Sequence, residues 1–201
     1  MPVLRAPSGR ILIEGRPITE RAPEEVRRSL SVLFQEPVRF SATVQESVAL
    51  AASDEAPSLA RVKAAMRGAG AEGLVARLPD RYDTLLGKEF ENGTELSGGE
   101  WQRIALARAL MRPVPIVLLD EPTSAMDSWA ESEWFDRLRA ATTGRTTIII
   151  THRFTTAMRA DVIHVMDAGR IVESGTHEDV VTAYASSWAR QSRDSQTDSA
   201  G

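Results

Sequence analysis

The sequence predicts an α/β domain organised around a parallel sheet, and three features carry that prediction. Ile116 to Leu119 and Thr146 to Ile150 are short, continuous apolar runs, the pattern of strands buried in a parallel sheet. The stretch between them, Ser128 to about Ala141, reads as a helix, so the three segments form a strand-helix-strand unit. Ahead of the first run, Ser97 stands in the N-cap position of a helix that sets Trp101, Ile104, Ala107 and Met111 on one face.

The other elements follow in chain order. Gly9 to Ile18 has a short apolar strand pattern interrupted by Gly15, which reads as a hairpin. A short helix is expected from Pro23. Ser31 to Gln35 reads as a strand ended by the Gln-Glu-Pro turn, because Pro37 has no N–H with which to continue a ladder. Thr43 to Ala52 and Ser58 to about Ala69 read as helices of an α-rich middle region, Gly87 to Thr94 as a loop, and Pro113 ends the Ser97 helix. Val162 to Met166 and Arg170 to Glu173 read as strands around Ala168-Gly169, and Thr176 to about Ala185 as a last helix. From Ser186 the chain is mostly Ser, Arg, Gln, Asp and Thr, which bury too little to offset ordering entropy. Residues 186–201 are therefore expected to be a disordered tail behind one partial domain, 1–185.

Composition narrows the function classes. With 42% hydrophobic and 26% charged residues the chain has the balance of one soluble globular domain. Its formal net charge of -4, with acids and bases interspersed, lacks the footprint of a nucleic-acid binder, so no nucleic acid is expected as a partner. The absence of cysteine removes disulfides, thiolate metal sites and Cys nucleophiles, and is compatible with a reducing cytoplasm. The apolar runs fall far short of the roughly 20 residues a membrane helix needs, and no secretory signal follows Met1. A membrane role would need a partner.

Two strings carry chemistry. Ile116-Val-Leu-Leu-Asp-Glu121 is an apolar strand closed by two acids, and ligands of doubly wound sheets bind beyond the carboxyl ends of the strands. The first acid can hold Mg2+ directly or through water, and the second can deprotonate an attacking water. Acids closing a strand also occur with no function. Leu96-Ser-Gly-Gly-Glu100, followed by Trp101-Gln-Arg103, puts two glycines at a helix N-terminus, where unpaired N–H groups and the positive dipole end favour phosphate.

The run from Leu96 to Asp127 resembles the ATP-binding-cassette (ABC) transporter family: signature motif Leu96 to Glu100, Walker B Ile116 to Glu121, D-loop Ser124-Ala125-Met126-Asp127. Gln35 resembles the Q-loop glutamine and His152 the switch histidine, and Phe34 to Val48 is similar to the Q-loop region of exporter-type members. The resemblance spans roughly Gly9 to Tyr184. It implies a P-loop-NTPase-like (RecA-like), mostly parallel sheet with helices on both faces, plus an α-helical signature subdomain over about 42–112. For the site it implies that Asp120 joins the magnesium-water shell, Glu121 is the general base and His152 contacts the γ-phosphate. Gln35 would sense the metal or attacking water and relay to a membrane domain. Ser97, Gly98, Gly99 and Glu100 would address a nucleotide held by a second subunit, and Asp127 would lie across the dimer interface. Met126 stands where leucine is usual, a volume-conserving difference.

One departure limits this. No Gly-x-x-x-x-Gly-Lys-Ser/Thr string occurs in the chain, so the phosphate-binding loop and its strand are missing. The resemblance places that strand inside the sheet, between the Thr146 to Ile150 and Val162 to Met166 strands, and leaves an exposed edge there. An N-terminal truncation, or a start codon set inside a longer gene, is the expected origin. Charge-assisted hydrogen bonds contribute about 1.5 to 3 kcal/mol each, so losing three weakens nucleotide binding by roughly 5 to 9 kcal/mol. That is about three orders of magnitude or more.

The resemblance implies ATP and Mg2+ as cofactors, and as partners a second ATPase domain, homo- or heterodimeric, with transmembrane permease domains. It implies a cytoplasmic location at the inner face of the membrane, reached only through the permease. The function expected is coupling of ATP binding and hydrolysis to export. The alternatives are a non-catalytic module that completes a partner's ATP site, or the remnant of a truncated gene.

Overall fold

In a computed structural model the described residues are 8–52, 57–89, 92–123 and 128–181, and they fall into two units, Met1–Ile150 and Thr151–Gly201. The first unit begins with the predicted hairpin, β1 (Leu12–Ile13) and β2 (Arg16–Pro17), turning through Glu14 at φ 52° and Gly15 at φ 75°. The largely buried side chain of Arg21 donates to the Ile13 carbonyl at 2.8 Å and pairs with Glu25 at 3.0 Å, tying the hairpin to α1 (Pro23–Ser29). Pro23 opens that helix, where a missing N–H costs nothing.

The sheet of this unit is parallel, in the order β3 (Leu30–Leu33), β4 (Ile116–Asp120), β5 (Thr146–Ile150). Its register aligns Ser31 with Val117 and Thr147, and Leu33 with Leu119 and Ile149. Ser31, Leu33, Val117 and Leu119 share a face and are buried, whereas Val32, Ile148 and Ile150 on the opposite face stay partly exposed, Ile150 at 49%. β3 stops at Leu33, earlier than the predicted Gln35, because Phe34 and Gln35 leave the ladder towards Pro37, whose ring also restricts the residue before it.

Four helices of the middle region start as their caps dictate or pack as their spacing dictates. Thr43 caps α2 (Val44–Ala49) with a full capping box, Ser58 caps α3 (Leu59–Gly68), and Ser97 caps α5 (Gly98–Leu110). α4 (Glu72–Arg77) was not predicted: Ala71 offers no side-chain cap, and the segment is too short to show a period. In α3, Val62, Ala65 and Met66, with the C-cap residue Ala69, form one buried stripe, and in α6 (Ser128–Ala141) Trp134, Phe135 and Leu138 form another. Both join Trp101, Ile104 and Leu106 of α5 with the buried sheet face in one core. At Gly68 a Cβ would stand 3.0 Å from the Ala141 side chain and 3.1 Å from that of Leu110, so glycine there lets α3 approach α5 and α6 closely.

The second unit contains α7 (Phe154–Ala157) and an antiparallel pair, β6 (Ile163–Asp167) and β7 (Arg170–Gly175), joined through Ala168 and Gly169, both with positive φ. Thr176 then caps a helical turn over 177–181 by donating its N–H and hydroxyl to Asp179, each at 2.8 Å. Those two bonds hold the Asp179 carboxyl below its ordinary range. A Cβ at Gly175 would sit 2.6 Å from the Asp179 side chain, so only glycine fits that turn. The predicted helix end at Ala185 and the 186–201 tail lie outside the described residues. Among the described residues no helix is long and apolar enough to cross a membrane.

The edge of β5 is open to test. Thr146 donates to the Pro115 carbonyl at 2.8 Å and Ile150 accepts from Glu121 at 2.9 Å, so the even-numbered residues of β5 turn their backbone groups to β4. The amides of Thr147 and Ile149 point to the other edge. Residue-resolved hydrogen exchange should find Ile148 at least about tenfold better protected than Thr147 and Ile149. Equal protection would mean that a further strand pairs there.

Candidate functional site

β4 runs through the middle of the sheet and delivers Asp120 and Glu121 at its carboxyl end. Because Leu33 pairs with Leu119, Gln35 and Glu121 each lie the same distance past a matched pair, at the same end of neighbouring strands. Parallel strands stand about 4.8 Å apart, so register brings the end of β3, two residues before Gln35, to the same edge as Asp120 and Glu121. Asp120 and Glu121 are half-buried and Gln35 is exposed. This is the edge at which α/β sheets bind ligands.

The backbone of Glu121 is fixed from two sides. Its φ of 48° lies in the left-handed region, its N–H donates to Ile150 at 2.9 Å, and its carbonyl accepts from Nε2 of Gln102 at 2.7 Å. Gln102 belongs to α5, the helix whose first turn carries the glycine pair. Ser97 accepts from the Glu100 N–H, while the Glu100 carboxylate accepts from the Ser97 N–H at 2.8 Å and hydroxyl at 2.9 Å. Arg77 adds a 2.7 Å ion pair to the other carboxylate oxygen. The backbone bond from Ser97, more than Arg77, holds the Glu100 carboxyl below its usual range. Ser97 and Gly98 are exposed, Gly99 and Glu100 half-buried. A Cβ on Gly98 would meet nothing within 4 Å, so no contact among the described residues requires glycine at that position.

The segment after Gln35 is held by the same helix. Arg108 donates through Nε to Ser47 O at 2.7 Å and through a terminal nitrogen to Val38 O at 3.1 Å, and lies 4.4 Å from the Phe40 ring centre. Burial pushes its guanidinium down to about 10, which leaves it a cation at neutral pH. Phe34, Val38, Phe40 and Leu50 line a cavity of 410 Å³ beside it. Sequence reading missed Arg77, Gln102 and Arg108, since their roles depend on carbonyls and carboxylates distant in sequence.

His152 belongs to the second unit, where it is exposed just before α7. Asp127, with the rest of Ser124 to Asp127, lies outside the described residues. Among the described residues no group of three or more His, Asp or Glu side chains could hold a metal ion unaided. Mg2+ normally keeps several waters and takes one or two carboxylates plus phosphate oxygens, a shell to which Asp120 can contribute.

Comparison with known proteins gives consistent matches. The profile of the family described as ABC transporter matches residues 2–124. An ATP-dependent lipid A-core flippase of Hahella chejuensis is 43% identical over 174 residues, which cover 86% of this chain and 29% of the flippase. An ATM1-type heavy metal exporter of Novosphingobium aromaticivorans is 42% identical over 190 residues, 93% of this chain and 30% of the exporter. Among solved structures, a bacterial Atm1-family ABC exporter with ATP bound superposes with a TM-score of 0.80 at 41% identity, covering 92% of this chain and 32% of that one. The chain thus spans less than a third of the length of these relatives.

The capping box makes a stability prediction. Ser97→Ala should cost about 1 kcal/mol in chemical denaturation, the usual loss for a serine cap. The Glu100 carboxyl is lowered in the folded state, so its contribution is present above the ordinary value of 4.5 and lost as pH falls through the lowered one. As pH falls from about 4.5 through the lowered value, Glu100→Gln should therefore lose stability less steeply than the parent; parallel curves there would deny the carboxylate this role.

Proposed function

The chain belongs to the ABC transporter family, as part of an exporter-type ATPase domain, and we propose that it acts on ATP and Mg2+ within a head-to-tail dimer of such domains, coupled to a membrane permease. The observation that carries this reading is the acid pair closing the central strand, with the Glu121 peptide tied to the helix that begins at Ser97. In this reading Glu121 takes the proton from water as it attacks the γ-phosphorus, the bond to the β-phosphate oxygen breaks, and ADP and inorganic phosphate leave. Asp120 orders the Mg2+-water shell, Gln35 senses the metal or attacking water, and His152 contacts the γ-phosphate. Ser97, Gly98, Gly99 and Glu100 cap the nucleotide of the second subunit, and Asp127 lies across the dimer interface. The exposed Ser97-Gly98 turn, where glycine answers to no contact among the described residues, supports an approach from outside the chain.

The apolar cavity beside Arg108, lined by Phe34, Val38 and Leu50, is the surface we assign to the permease. It would put the chain at the cytoplasmic face of a membrane. Relatives named for lipid A-core and for heavy metals match this region about equally well, so the choice of cargo belongs outside it. A second reading, in which the chain completes an intact partner's ATP site, is favoured by the exposed Ser97-Gly98 turn, where a Cβ on Gly98 would meet nothing within 4 Å.

Two measurements test these readings. Titration of the purified chain with labelled ATP and Mg2+ should show no saturation at micromolar concentrations, since the absent loop weakens binding by about three orders of magnitude. Micromolar saturation would overturn that. Mixed with an intact ATPase domain, Gly98→Ala should leave the melting curve in place yet lower the partner's turnover by about tenfold or more, by keeping backbone donors from the phosphates. Unchanged turnover would remove the composite site.

A further inference from the structure

Glu121 has a backbone conformation that a residue with a Cβ keeps only when its surroundings hold it there. Two bonds do so. The N–H is committed to Ile150 O, one step past the β4–β5 ladder, and the carbonyl accepts from Gln102 at 2.7 Å. Gln102 is only 5% exposed, between Trp101 and Ile104 on a helix that otherwise buries apolar side chains. Burying an amide there is costly unless its hydrogen bonds are made. Leucine or methionine would fill the same space without that cost but could not make the 2.7 Å bond to the Glu121 carbonyl. Gln102 also lies one helical turn beyond Gly98, on the same side of α5.

We propose that Gln102 is a positioning residue that holds the Glu121 peptide in its left-handed conformation and links it mechanically to the Ser97-Gly98 turn. The functional weight of this link rests on the reading of Glu121 as general base. The turn addresses a neighbour's nucleotide while Glu121 serves the chain's own side of the dimer. A shift at the start of α5 therefore re-aims the base, and one composite site reports its occupancy to the other through a single buried amide.

The test needs no nucleotide: residue-resolved amide exchange on the full chain. Gln102→Met keeps length and removes the donor. The Glu121 amide should then exchange about tenfold faster while that of Leu119, in the same ladder, stays within about twofold. Ser97→Ala, which frays the first turn, should speed Glu121 exchange several-fold in the parent and not in the Gln102→Met background. If Glu121 and Leu119 change by the same factor, or neither changes, or Ser97→Ala acts equally in both backgrounds, the link does not exist. Should Gln102→Met fail to fold, Gln102→Asn retains an amide one methylene too short and is expected to give the same selective loss; full protection of Glu121 in that variant overturns the proposal. Because exchange is read without ATP, a selective change stands even if Glu121→Gln leaves turnover intact in an assembled complex. That last result would sink the base assignment alone.

Discussion

The position of α5 is the constraint on which the rest of the first unit depends. Its apolar side, Trp101, Ile104, Leu106 and Leu110, is buried against α2, α3 and the sheet. Each such side chain contributes about 1.5 to 3 kcal/mol of transfer free energy. Polar groups then refer the neighbouring segments to this one helix. Ser31 of β3 donates to Ala109 O at 2.7 Å, Arg108 reaches Ser47 and Val38, Arg112, just past the helix end, reaches carbonyls at the end of α1, and Gln102 reaches Glu121. The strand end with Gln35, the strand end with Glu121 and the glycine turn are all located with respect to the same rigid body. Against that core the Ser97 cap is worth about 1 kcal/mol. The helix can therefore remodel its first turn without leaving its seat.

What was legible in the sequence is what short-range chemistry decides. Thr43, Ser58 and Ser97 stood where the caps are, Gly15 and Gly169 stood in the hairpin turns, and the apolar runs became β4 and β5. That β3 and β4 end at the same edge, Gln35 following one and the acid pair closing the other, follows from their parallel pairing. Gln102, Arg77 and Arg108 gave no signal, since a polar residue on a helix has no visible partner until the chain has folded. The left-handed backbone at Glu121 was hidden for the same reason: no glycine marks it. Continuous apolarity in Ile148 to Ile150 implied burial on both faces, yet burial is a property of the covered sheet, and among the described residues one face is partly open.

The first turn of α5 has to serve two demands on the same atoms. As a free helix start it satisfies itself: the Ser97 hydroxyl and the Glu100 carboxylate bond reciprocally, and Arg77 balances the negative charge. The amides of Gly98 and Gly99 have no intrahelical acceptor, as for any first turn, and so remain available to an anion. A phosphate that approached them would also meet the Glu100 carboxylate, whose repulsion at such a distance is comparable to the attraction of the helix end. The Ser97 hydroxyl, already donating to Glu100, would have to turn from carboxylate to phosphate. These opposing terms nearly cancel, so anion capture at this turn is weak in the isolated chain. It becomes favourable only when a second surface already holds the phosphate in place, the condition that the proposed composite site would supply.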